Sequence, residues 1–495
     1  MAFRRLLLGS AVVLTMAIGI GIWEAAPFVV ARLIKRADSP DAPMGLVRLK
    51  LAHGMAGGLR DAEAADEIIA NSIKAIVKSK VMGPTDTLSR GAWRALLDVL
   101  HAAERQYLAP AYGFGLGPPE FGAAEVAEGL KYVSHVLRVA LELHLEESPR
   151  FMRFVSPHLK LLGDNPDALY YLSRVDPSKG HRLSGCRTRE VYFSISIHAE
   201  PDEGEALAKV IADVNDDGLV VDANGCWQLV LTPTTAPPAD LPAGAVWRSL
   251  PAAASTIVTR HYFETSPPAQ LNQDVERSLT LSIECWTPTA VAIDTPEAAG
   301  PIADSAMAQR LSRAADFVRD HTINLPPPDP STAPPFFALV PNSIGIPTKW
   351  SRNAQGMGAV DIAYAAGRFL LHEGEALIIR GTLPNCRFAN AVLWNRFLQS
   401  FDYLHGQVSV SRANLHLSGP SEADFTLVLA ASNPFADKAA EKRASANWLS
   451  TEGRPSGTLF LRFVLPKGDI KQPTTQLVPS GESVVAALEK AAALA

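Results

Sequence analysis

The sequence predicts an α+β protein: an N-terminal membrane helix and helical region, then two tandem jelly-roll-like antiparallel β-sandwich units. Three observations carry this. The pattern D-x-x-Y-x-x-x-R occurs twice, from Asp167 to Arg174 and from Asp361 to Arg368, with the same order of features after each copy. Between residues 44 and 162, apolar residues recur at the three- and four-residue spacing of a helix. Leu6 to Trp23 runs without a charge after the cationic start Arg4-Arg5.

That uncharged run approaches the ~20 residues needed to span a bilayer. No good small-x-small cleavage site closes it, and Phe28 to Arg36 follows as an interfacial amphipathic stretch. Residues 1–43 are therefore expected to be an uncleaved signal-anchor in a bacterial inner membrane, the body facing the periplasm or cell exterior. A cleaved signal peptide is the alternative. Arg32, Lys35 and Arg36 on the far side weaken the charge rule that sets orientation.

Residues 44–162 are expected to be helical. Ile68, Ile69, Ile73, Ile76 and Val77 make one stripe between Arg60 and Lys80. A second helix is expected from about Leu88 to Leu108, capped by Thr85, Asp86 or Thr87 and stopped by Pro110. A third is expected from Ala123 to Glu147, with Val133, Val136, Leu137 and Ala140 inward.

After Gly163 the period changes to that of strands. The first β unit spans 163–300 and the second 358–466, separated at 301–357 by a helix (Ala303 to Thr322) and a proline-rich linker; 467–495 is a tail with a short Ala-rich helix. In both units a strand ends in Gly (Gly185; Gly381), and Cys-Arg follows (Cys186-Arg187; Cys386-Arg387). Next come a Leu-Val-Leu strand (Leu229 to Leu231; Leu427 to Leu429), a Trp (Trp247; Trp448) and a closing strand with an Arg (Arg260; Arg462). A duplicated unit this size must pack its apolar face against a second layer, hence a sandwich. Asn224-Gly225 between apolar runs signals a type I′ hairpin.

The composition is that of a globular protein: 47% apolar, 20% charged, net charge −5. No basic stripe exists to neutralise phosphates, which argues against nucleic acid. Four cysteines (Cys186, Cys226, Cys285, Cys386) allow three pairings and lack metal-ligand spacing, so structural thiols or disulfides are expected.

Motifs for chemistry are sparse. No G-x-S-x-G elbow, phosphate-binding glycine loop or H-E-x-x-H helix occurs. Asp213 to Gly218 matches the first half of a calcium loop, but its twelfth place is Asn224 and not a bidentate Glu, so a polar turn is expected. His135 and His144 fall on opposite sides of one helix, and His181, His198 and His261 read as ordinary histidines. No metal and no cofactor is expected. Tyr170 with Arg174, and Tyr364 with Arg368, share a strand face and read as structural pairs.

The candidate site is the polar-aromatic set Trp350, Arg352, Asn353, Trp394, Asn395, Arg396, Tyr403, Trp448, Glu452 and Arg454. Indole faces beside Asn, Glu and Arg suit a glycan or an amphiphile. The leading expectation is a membrane-tethered envelope protein that binds a glycan or lipid-like ligand. One rival is a periplasmic hydrolase or lyase using Glu452, Asp361 and Arg454. Another is a scaffold of an envelope complex that docks through the helical region.

Trp350-Ser-Arg-Asn353, Tyr364-Ala-Ala-Gly-Arg368-Phe, Ala389 to Arg396 and Asn447 to Arg454 resemble the bacterial family known as domain of unknown function 1214. Asn165-Pro-Asp-Ala-Leu-Tyr170 with Val175-Asp-Pro177 is similar to that family's opening strand. The resemblance covers about 160–466 and is most specific from 350. It implies a jelly-roll-like fold and carries no established activity, so it assigns no catalytic residue.

Overall fold

The computed structural model describes residues 87–109, 122–146, 149–201, 207–287, 301–325, 333–352, 354 and 356–492. The expected membrane segment and the helix expected at 60–80 lie outside them. Among the described residues no helix is long and apolar enough to cross a membrane.

Two helices open the described chain. Helix α1 (Leu88–Ala102) runs on into a π-helical turn at Ala103–Tyr107, and α2 covers Ala123–His144. Helix α2 buries Tyr132, Val136, Val139 and Ala140, the apolar stripe of its 3.6-residue period.

The first β unit follows. Its strands are β1 (Met152–Arg153), β2 (Ala168–Arg174), β3 (Gly180–Cys186), β4 (Tyr192–Ala199), β5 (Lys209–Asn215), β6 (Cys226–Thr232), β7 (Val246–Ser249), β8 (Ala254–Tyr262) and β9 (Ser282–Trp286), with a short helix α3 at Gln273–Ser278. Helix α4 (Asp304–Asp320) crosses to the second unit. That unit holds β10 (Phe337–Ala338), β11 (Thr348–Lys349), β12 (Ile362–Leu370), β13 (Ala376–Thr382), β14 (Phe388–Trp394), β15 (Ser409–Ser411), β16 (Leu417–Ser418), β17 (Asp424–Ala430), β18 (Asn447–Ser450), β19 (Ser456–Val464) and β20 (Thr474–Val478). Helices α5 (Lys438–Arg443) and α6 (Val484–Ala492) complete it.

Each unit is two sheets. In the first, β1-β2-β8-β4-β5 form one sheet and β7-β6-β3-β9 the other; in the second, β10-β12-β19-β14-β15 form one and β16-β17-β13-β20 the other. The orders superpose: β2, β8, β4 and β5 answer to β12, β19, β14 and β15, and β6, β3 and β9 to β17, β13 and β20. Even the parallel pairings recur, β7 on β6 and β18 on β17. The duplication is thus one of topology and register, with β20 drawn from the segment read as a tail.

Equivalent side chains keep equivalent jobs. Trp247 and Trp448 sit opposite Val230 and Val428. Their indole N–H groups donate to Thr232 Oγ1 (2.8 Å) and to the Ala430 carbonyl (3.1 Å), which occupy the same register position. Gly185 lies opposite Trp227 and Gly381 opposite Phe425; a Cβ on either glycine would stand 2.8 Å or 2.5 Å from the ring. Where the first unit has the Cys186–Cys226 disulfide, the second has Thr382 donating to Asp424 (2.8 Å).

One expected equivalence fails. The registers place Arg260 opposite Ser194 and Arg462 opposite Asn390, which makes Cys386-Arg387 the counterpart of Glu190-Val191. The two Cys-Arg dipeptides match by composition and not by position. Cys386 is a buried thiol.

The three largest cores among the described residues lie inside and between the β units. Leu183, Phe193, Ile195 and Leu229 fill the first sandwich, and Ala363, Ile379, Ala391 and Leu427 the second. The third lies where the β2 and β12 sheets face each other: Tyr170, Tyr192 and Tyr262 meet Ile362, Tyr364, Phe388 and Val464, with α1, α2 and α4 packed on the same cluster. The layer order is outer sheet, inner sheet, inner sheet, outer sheet.

The contact between inner sheets is reciprocal, as in a twofold interface. Arg260 donates to the Met357 carbonyl (2.6 Å), four residues before Asp361. Arg462 donates to the Gly163 carbonyl (2.9 Å), four residues before Asp167. Asp167 accepts from Asn390 (2.9 Å) and Asp361 accepts from Tyr192 and Asn215. Asp216 binds Arg387 (2.8 Å), while Arg412, at the matching turn of the second unit, binds Glu264 (2.8 Å).

This interface absorbs the calcium-like segment. Asp213 pairs with Arg352, Asn215 with Asp361, and Asp216 and Asp217 with Arg387. Its oxygens hold guanidinium and amide groups, and no cluster fit for a metal ion occurs among the described residues. The Asn224-Gly225 turn also differs from expectation. Only Gly225 takes a positive φ (82°), and Asp222 caps the turn by accepting from the Asn224 and Cys226 amides (both 2.8 Å). A side-chain acceptor at the first turn position favours this Asx-capped form over type I′.

Candidate functional site

The site residues expected from sequence fall in three places. Trp350 and Arg352 lie at the edge of the inter-unit contact. The Trp350 ring packs on Phe336 and Tyr364 over Gly358, whose Cβ would lie 2.2 Å from it, and its buried indole N–H meets no partner among the described residues. Arg352 pairs with Asp213. Asn353 lies outside the described residues. Trp448 belongs to the outer sheet, as its counterpart Trp247 does. Strand register sends these aromatics to different layers, so the set does not line one cavity.

The remaining residues meet where the loop after β14 crosses α2 and the segment before β2. Asn395 shapes that loop. Its Oδ1 accepts from the Phe397 and Gln399 amides (2.9 and 3.1 Å), and its Nδ2 donates to Glu128 on α2 (3.1 Å). Glu128 also pairs with Arg454, whose Nε donates to Glu452 (3.1 Å). Glu452, at φ 56°, accepts from the Asp402 amide (2.6 Å). Arg396 reaches the Ala109 carbonyl and covers Phe397. Trp394 is in the core, its N–H given to the Asp164 carbonyl (2.9 Å) and its ring 4.3 Å from Phe460, so it cannot stack on a ligand.

Beneath this rim lie residues that the sequence reading did not select. Lys160 is 6% exposed and donates to the Ser400 and Phe401 carbonyls (3.1 and 2.7 Å), 4.2 Å from the centre of the Tyr403 ring. Burial lowers its pKa, opposed by Asp164. Asp164, 1% exposed, accepts from the Ser400 amide (2.7 Å) and hydroxyl; burial raises its pKa, opposed by Lys160. Gln399 donates to the Lys160 carbonyl (2.8 Å), and the Lys160 amide donates to His135 Nδ1 (3.1 Å). The Tyr403 hydroxyl is buried without a partner among the described residues, and burial pushes its pKa up. The signal available in sequence was the segment's polarity next to apolar Phe154, Val155, Leu159 and Leu161.

The charged groups of this cluster bind one another and nearby backbone. Glu452 is engaged by an arginine and an amide, Lys160 by two carbonyls, and Asp164 by a serine. Lys160 and Asp164 are buried, while Glu452 keeps an exposed edge beside Arg454. His144 lies on α2 against Phe317 and His135 binds Lys160, which separates them as the helix spacing requires.

Two concavities lie elsewhere. A groove of about 550 Å³ runs along α2, floored by Leu137, Leu141 and Leu145 and edged by Arg138, Glu142 and Arg150. A cleft of about 400 Å³ lies on the outer sheet of the first unit, around Ser184, Gln228 and Ser282.

No family model matches the chain, and no curated protein matches it. Among solved structures, an uncharacterised protein from Burkholderia cenocepacia matches with a TM-score of 0.62 and 25% identity over 80% of this chain and 97% of that one. A protein from Vibrio parahaemolyticus matches with a TM-score of 0.39 and 12% identity over 71% of this chain and 98% of that one. The first shares this α+β arrangement.

Proposed function

We propose that the protein is a membrane-tethered component of the bacterial envelope, built from tandem jelly-roll-like units of the kind called domain of unknown function 1214, that holds a lipid-like ligand. The α2 groove carries this reading. Its floor is three leucines one helical turn apart, and Arg138 and Arg150 stand at its edge for a polar head. Apolar walls with a few charged groups are what an amphiphile needs. A membrane anchor at Leu6 to Trp23 would give access to such ligands, and the Cys186–Cys226 disulfide suits an oxidising compartment. The hydrolase or lyase reading loses support because Glu452 is held by Arg454 and the Asp402 amide.

The test is a titration of the full chain with a dansyl-labelled fatty acid and with lysophosphatidylethanolamine. Binding is expected, and Leu141→Lys should weaken it at least tenfold while leaving the far-ultraviolet spectrum unchanged. Arg138→Glu should weaken the anionic probe more than the zwitterionic one. Equal affinity in Leu141→Lys and the unaltered chain would remove the groove from consideration.

A further inference from the structure

The two β units serve as each other's control, since a difference at matched positions is one the fold does not require. The outer faces differ most. In the second unit α5 and α6 cover the outer sheet: Ile378, Val428 and Val478 pack under Phe435, Val484 and Leu488. Among the described residues no helix covers the matched face of the first unit, where Arg182 pairs with Glu284 across β3 and β9.

The 400 Å³ cleft lies on that face. Its floor is Ser184, opposite Gln228 on one side and Ser282 on the other. The second unit carries Arg380 in the matched place, opposite Thr426 and Thr474, and the Arg380 guanidinium donates to Gln476 (2.9 Å), across the surface the cleft leaves clear. Short side chains have replaced a long cation, and the space remains.

The lining specifies a chemistry. Ser184 and Ser282 present hydroxyls 2.8 Å apart, and the buried Gln228 Oε1 has no hydrogen-bond partner among the described residues. Leu281, Val220 and the edge of Trp227 supply apolar wall. No lysine, arginine or histidine lines the cleft, so nothing attracts an anion, and the Asp222 carboxylate repels one. Paired hydroxyls, an unsatisfied amide oxygen and apolar wall match a ligand that carries many hydroxyls and no charge. The volume is at the lower end of small-ligand sites.

We propose that the outer face of the first β unit is a binding cleft for a neutral carbohydrate of one or two rings. This site is separate from the α2 groove, and either can fail without the other.

The test titrates the full chain with N,N′-diacetylchitobiose and with maltose, read by saturation-transfer NMR, with 3′-sialyllactose as the anionic control. At least one neutral sugar is expected to saturate at millimolar concentration, and the control is not. Ser184→Arg, which installs the residue the second unit carries there, should abolish binding with an unchanged melting temperature. Gln228→Ala should weaken it about fivefold, the loss of one hydrogen bond, and covers the case in which the arginine variant fails to fold. Failure of both neutral sugars to bind, or retained binding in Gln228→Ala together with Ser184→Arg, would overturn the proposal.

Discussion

Arg260 and Arg462 are 3% and 4% exposed, each two residues before the end of a closing strand. A buried guanidinium is tolerated only when its donors find acceptors. Both reach a backbone carbonyl of the other β unit, and Arg462 also lies 4.9 Å from the Trp394 and Phe460 rings. Arg462→Ala removes that packing and strands the Gly163 carbonyl. It should lower stability by roughly 2–4 kcal/mol in urea denaturation. An unchanged midpoint would mean that the contact is incidental.

Acid sensitivity also belongs to single residues. Burial pushes His144 and His198 down to about 3 and His321 down to about 4. Below about 6.5 the unfolded chain protonates each of them while the folded chain does not. The unfolded state then holds more protons, so stability falls as pH drops from about 6.5 toward 4. Asp167 works the other way: burial raises it to about 6, so its folded carboxyl keeps a proton that the unfolded chain has lost, and stability falls as pH rises through that window. Burial raises Asp320 to about 6 as well, so these carboxyls offset part of the slope that the histidines set. His198→Phe should flatten the acid limb by up to ~1.4 kcal/mol per pH unit, measured as urea midpoints between about pH 4.5 and 6.5. It should also stabilise the protein, since neither ring nitrogen has a partner among the described residues. A slope identical to that of the unaltered protein would contradict this assignment.

At the scale of elements, the glycine–aromatic pairs let a ring lie across the neighbouring strand of its own sheet. Gly381→Ala puts a methyl 2.5 Å from the Phe425 ring, and the loss should be about 1–3 kcal/mol. The Cys186–Cys226 disulfide closes a span of 40 residues, and replacing both cysteines by serine should lower stability by roughly 3–4 kcal/mol. The circular dichroism spectrum should stay unchanged, because Thr382 and Asp424 hold the same position by a hydrogen bond alone. A collapsed spectrum would show that the bridge defines the fold.

The duplicated strands were legible because Gly185 and Gly381, Trp247 and Trp448, and Arg260 and Arg462 are fixed by register, and register leaves a sequence pattern. The Cys-Arg dipeptides misled because they sit at opposite ends of matching loops: Cys186 closes β3, whereas Cys386-Arg387 runs directly into β14. The candidate site was legible only in part. Asn395, Tyr403, Glu452 and Arg454 meet, but through Glu128, Lys160 and Asp164, which lie hundreds of positions away in sequence. The direction of Trp350 and Trp448 depends on layer assignment, which composition does not encode. Lys160 reads as a surface residue until its carbonyl partners are seen.

At the scale of the molecule, two sandwiches face each other through inner sheets whose polar contacts are exchanged in both directions. Arg260, Arg462, Asp167 and Tyr192 are buried at that face, and each takes a partner from the other unit. Neither half satisfies its own groups, so the two should open together. Native-state hydrogen exchange in mild urea, read peptide by peptide across β2 to β9 and β12 to β20, measures this directly. The account predicts one shared opening free energy for both halves, lowered equally in both by Arg462→Ala. Separate opening energies, with the substitution felt only in the second half, would contradict it.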